Sequence, residues 1–172
     1  MEEFVPILFL IAIAEMIISG SWRSFYFETG IPLYRKSIPL PFPPKLSSTA
    51  LSEHFEKGMF APILFKQISV HQVAFREALF SFHWIAYTPV MHGLIRYKDG
   101  ELQVIGWANS FAPVFVIFFA VAGSGVAGHW VFDWIFVVFP IALFALLYSV
   151  QAKRFNKIYA VVLRQSEISN RN

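Results

Sequence analysis

Glu15 is the one charge in the apolar run from Phe4 to Gly20. A carboxylate within a membrane helix costs roughly 2.5–3.5 kcal/mol near the bilayer centre, so it normally faces protein or water. Three uses fit it: a bond within its own bundle, a contact to a partner's helix, or a proton or cation site. The first is expected here.

His129 and Asp133 are a second pair, four apart and therefore on one helix face, where a hydrogen bond between them is within reach. Asp133 also falls in the first turn of its helix, where the dipole favours a carboxylate. Capping and interface solvation account for both. Asp133 and Glu15 are the ionisable residues expected inside the membrane segments.

His54, His71, His83 and His92 are scattered, with no metal-ligand spacing among them. The absence of cysteine removes a disulfide framework, a thiolate metal site and a cysteine nucleophile. Gly123-Ser124-Gly125 lacks the strand–turn–helix context of a hydrolase elbow. There is no P-loop and no dinucleotide fingerprint, and Glu53 and Glu56 read as a solvated helix face. No catalytic residue, metal or cofactor is expected.

Two further patterns concern surfaces. Ala120, Ser124 and Gly128 recur every four residues, and Gly123 and Ala127 form a second such pair. Small residues at this spacing let helices approach closely, either within one chain or against another protein. Beyond Val150, Phe155, Ile158, Tyr159 and Val162 lie opposite Lys153, Arg154, Lys157 and Arg164. That is a basic amphipathic helix suited to an anionic leaflet, with Lys153, Arg154 and Lys157 at the lipid surface.

These residues need elements to hold them, and composition points to a bilayer. The chain has 172 residues, 56% hydrophobic and only 15% charged, with 20 Phe and a mean hydropathy of +0.55. Soluble domains run to about 45–50% apolar and about 25% charged. The net charge of +3 and pI near 9.3 could suggest nucleic acid. That partner is rejected, because the basic residues are thinly spread beside apolar segments.

Apolar runs at 4–20, 111–128 and 130–150 predict three transmembrane helices, the last two joined as a hairpin. A cleaved signal peptide is disfavoured, since the chain opens Met1-Glu2-Glu3 rather than with basic residues. All 14 Lys and Arg lie either between 23 and 98 or beyond 150. With three helices, the charge rule places the N-terminus outside and the middle region and C-terminus in the cytoplasm.

Between the first two runs, the period of two from Pro62 onward and the Asp99-Gly100 turn predict antiparallel strands. Ser47-Ser48 can cap a short helix. The expected architecture is thus an α+β membrane protein, a mostly antiparallel module inserted between transmembrane helices one and two. Its parts are a transmembrane helix (1–22), a cytoplasmic module (23–109), a helical hairpin (110–150) and a basic tail (151–172). The expected role is a non-catalytic accessory or scaffold subunit of a bacterial inner membrane. Its partners would be the bilayer and another membrane protein, or a second copy of itself. The alternative is a membrane-apposed sensor or lipid-binding module.

Overall fold

The computed structural model describes residues 4–44, 46–55, 61–78, 90–109 and 130–169. Five strands carry the fold: β1 (Pro32–Pro39), β2 (Ile63–Ser69), β3 (Gln72–Glu77), β4 (Met91–Lys98) and β5 (Glu101–Ala108). They form one sheet in the order β1-β5-β4-β3-β2, and every pairing is antiparallel. The described helices are α1 (Phe4–Gly20), α2 (Ser24–Glu28), α3 (Ser48–Phe55) and α4 (Trp130–Ser169).

Local chemistry explains most of these boundaries. Asp99 and Gly100 both take positive φ, 56° and 77°, which is what a two-residue hairpin turn between β4 and β5 requires. Ser47 Oγ accepts from the Ala50 amide at 3.3 Å and caps α3. Leu51 of that helix is fully buried, and Phe55 beside it packs against Phe65 of β2.

The two sheet faces have different covers. On one, Val73, Phe75, Ile95, Leu102 and Val104 meet Phe155, Ile158 and Val162 of α4 in a single apolar core. Gly93 and Gly106 face each other across β4 and β5. A Cβ on Gly93 would strike the Phe75 ring, and one on Gly106 the Phe155 ring. The paired glycines are a bare patch of sheet on which the two rings, 4.9 Å apart and edge-to-face, lie against backbone. The opposite face is covered near α2, where fully buried Phe27 packs on Ala74 and Leu94, flanked by Trp22 and Tyr26.

The expected three transmembrane helices are corrected by this structure. Among the described residues one helical stretch is long and apolar enough to cross a membrane, Val138–Ser166 within α4. The first run forms α1 as expected, but this helix has only 17 residues, short for a span of the ~30 Å hydrocarbon core at 1.5 Å per residue. The run from 111 to 128 lies outside the described residues.

The sheet module and its antiparallel strands are as expected. The third run and the tail differ from expectation in being one helix of 40 residues that includes Pro140. The tail's apolar face lies on the sheet rather than on a leaflet, because Phe155, Ile158 and Val162 are the residues α4 buries there.

The seating of Phe155 is testable by thermal unfolding of the full chain in detergent. Phe155→Ala is expected to lose about 3–5 kcal/mol. Gly106→Val is expected to lower the midpoint as well, since the added side chain needs the space of the ring. An unchanged midpoint for Gly106→Val would refute the close seating.

Candidate functional site

Glu15 is where the described titratable groups converge. It lies on the last turns of α1 and accepts a hydrogen bond from the Tyr26 hydroxyl at 2.8 Å. Ser19, one turn further along α1, also hydrogen-bonds the Tyr26 hydroxyl. The i and i+4 positions of α1 thus grip one phenol of α2.

Tyr26 in turn covers His92, their rings stacked at 4.0 Å between centroids. His92, at the start of β4, is only 3% exposed. Its Nε2 lies 2.8 Å from the Tyr26 carbonyl and its Nδ1 2.7 Å from the Asn109 carboxamide. A carbonyl can only accept, so Nε2 carries a hydrogen. The Asn109 amide can offer its NH2 to the lone pair of a neutral ring, or its oxygen to a charged one. Both ring nitrogens are therefore engaged by the protein in either state.

Burial sets the protonation here. It pushes the Tyr26 hydroxyl well above the ordinary range for tyrosine, and the adjacent Glu15 charge adds to the effect. Tyr26 is held as a donor. Burial also pushes the His92 imidazole below its usual value, against the hydrogen bonds to Asn109 and the Tyr26 carbonyl and the Glu15 charge, which act the other way.

A cavity of about 390 Å³ opens beside this cluster. Ile11, Ala14 and Ile18 of α1 and Phe25 of α2 give it apolar walls. Glu15, Tyr26, Thr29 and His92 supply its polar groups. Such an enclosure suits an apolar body with one polar end.

Of the other residues read as sites, Arg154 makes an ion pair with Glu77 of β3 at 2.7 Å. Its guanidinium also donates to the Ala61 carbonyl. The pair staples α4 to the β2–β3 end of the sheet. Lys153 and Lys157 are exposed. Asp133 belongs to the first turn of α4, but its side chain is outside those described. Ala120, Gly123, Ser124, Ala127, Gly128 and His129 lie outside the described residues. Among the described residues, no group of three or more His, Asp or Glu is placed to hold a metal ion.

Sequence reasoning named Glu15 but missed its partners. Tyr26, His92 and Asn109 are dispersed along the chain, and only the fold brings them together. Gln151 was also missed, although a polar residue closing a long apolar run is a signal in itself. Comparison with known protein families, with curated proteins and with solved structures finds no match for this chain.

Two outcomes are expected in denaturant titrations of the full chain. The folded state holds His92 below the free imidazole's pKa of about 6.5, so the unfolded state binds the proton more readily. Stability should be full above that value and fall as pH drops below it, and His92→Gln should flatten this slope. Glu77→Gln takes a carboxylate from the largely buried Arg154 guanidinium and should cost about 3–5 kcal/mol. Much of that should return in Glu77→Gln combined with Arg154→Met.

Proposed function

We propose that this chain is a non-catalytic accessory subunit of a membrane complex, holding its sheet module at the bilayer surface. The observation that carries the reading is the division of α4. Its first half exposes Val138, Phe139, Ile141 and Leu146, while its second half is built into the sheet core through Phe155, Ile158 and Val162. Exposed apolar side chains along one helix indicate lipid or a partner helix.

A topological constraint sharpens this. β5 and the second half of α4 belong to one core, so they lie on the same side of any bilayer. Crossings between residues 109 and 151 must therefore come in pairs. The distribution of Lys and Arg favours the cytoplasmic side for the sheet and the C-terminus. A bacterial inner membrane is the setting we propose, with another membrane protein as the partner.

The test uses native membranes and a photo-reactive residue at Leu146. The protein should resist alkaline carbonate extraction, and the crosslinker should capture a different integral membrane protein reproducibly. Release by carbonate would overturn the membrane reading. Capture of only lipid or a second copy of this chain would overturn the accessory role.

A further inference from the structure

Trp22 stands two residues past the end of α1 and turns the chain with a positive φ of 53°. Its indole is fixed by stacking on fully buried Phe27, with ring centroids 5.3 Å apart. Two cations gather on this indole. The Arg76 guanidinium lies 5.0 Å from the ring centroid, and the Lys66 ammonium 6.0 Å. Arg76 and Lys66 project from adjacent strands, where Arg76 pairs with Leu64 and Ala74 with Lys66. Arg23 is the next residue after the indole and is exposed.

No carboxylate answers these cations among the described residues. The ion pair found there, Arg154 with Glu77, lies under α4 on the other face of the sheet. Arg76 is half-buried, and its Nε is a buried donor with no acceptor among the described residues. Burial pulls the guanidinium's pKa down. The cation–π contact to Trp22 offsets part of the desolvation of Arg76, but it leaves the Nε–H donor unfilled. A guanidinium with no carboxylate partner among the described residues, beside a lysine point charge, is suited to a phosphate oxygen.

The site's neighbours indicate where such a phosphate would come from. Ile17 and Ile18, within two turns of Trp22 along α1, are 62% and 41% exposed, and Phe25 is 71% exposed. An apolar helix that ends in a tryptophan flanked by cations has the order of a lipid: hydrocarbon, interface, headgroup. We propose that Trp22, Lys66 and Arg76 form a seat for the phosphate headgroup of an anionic membrane lipid. The proposal rests on the bilayer-surface placement of the sheet, and not on the accessory role.

The test is native mass spectrometry of the full chain, delipidated in a mild nonionic detergent and titrated with phosphatidylglycerol or with phosphatidylcholine. Phosphatidylglycerol should be retained about tenfold more tightly, because both lipids offer the phosphate but the choline ammonium of phosphatidylcholine brings a like charge beside Lys66 and Arg76. Arg76→Gln with Lys66→Gln should abolish that preference, and Lys66→Gln alone, at an exposed position, should reduce it without disturbing the fold. Lys153→Gln with Lys157→Gln, on the exposed side of α4, should leave it intact. Equal retention of the two lipids, or loss of the preference only in the α4 variant, overturns the seat. Displacement by millimolar inorganic phosphate overturns the lipid source. Carbonate extraction of the same variants separates these failures from failure of the membrane placement, which would release the unsubstituted chain as well.

Discussion

Gln151 is where α4 changes its surroundings, and the sheet depends on how it does so. The side chain is fully buried. Its carbonyl accepts from the amides of Val90 and Met91 at 3.0 and 2.8 Å, and its NH2 donates to the Met91 carbonyl at 2.9 Å. The β3–β4 ladder ends at Phe75 and Gly93 although β3 continues to Glu77, so the first residues of β4 have parted from that neighbour. The carboxamide of Gln151 replaces the missing strand, satisfying backbone groups whose isolation would cost about 1–3 kcal/mol each. From this point on, the Phe155, Ile158 and Val162 face of α4 belongs to the core.

The same end of the sheet collects most of what is unusual in the molecule. Tyr148 of α4 donates to the Leu33 carbonyl at the start of β1. His92 and Asn109 sit at the start of β4 and just beyond β5, and α1 reaches them through Glu15 and Tyr26. The apolar stretches adjoin the sheet at this end, while the Asp99-Gly100 turn and its charged neighbours mark the other. Polarity thus changes along the strands as well as between the two faces.

Features read correctly from sequence are those set by neighbours in the chain. The Asp99-Gly100 turn, the Ser47 cap and the alternation through Ile63, Phe65 and Gln67 each need only a few residues to specify them. The basic amphipathic pattern after Val150 was also real, but a pattern shows only that a face is apolar. Whether lipid or a sheet covers that face is decided by Gly93 and Gly106, whose role appears only when strands and helix meet. Glu15 was conspicuous because charge is costly in an apolar run. Tyr26 was not, because an aromatic in an aromatic-rich chain carries no local signal, and His92 was weighed only as a metal ligand. Length misled as well: apolar composition counted α1 as a span, although its 17 residues and its polar grip on Tyr26 tie it to the module.

The continuity of α4 has a mechanical consequence. A helix of 40 residues is a rod of about 60 Å at 1.5 Å rise per residue, clamped over its second half by Gln151, Arg154 and Phe155. Pro140 lies above the clamp and removes one backbone hydrogen bond, so bending concentrates there. Sideways sway of the distal half is thereby absorbed before it arrives at the strands. Twist about the rod's own axis is not, because turning α4 would carry Phe155 off the glycine pair and pull Gln151 from β4.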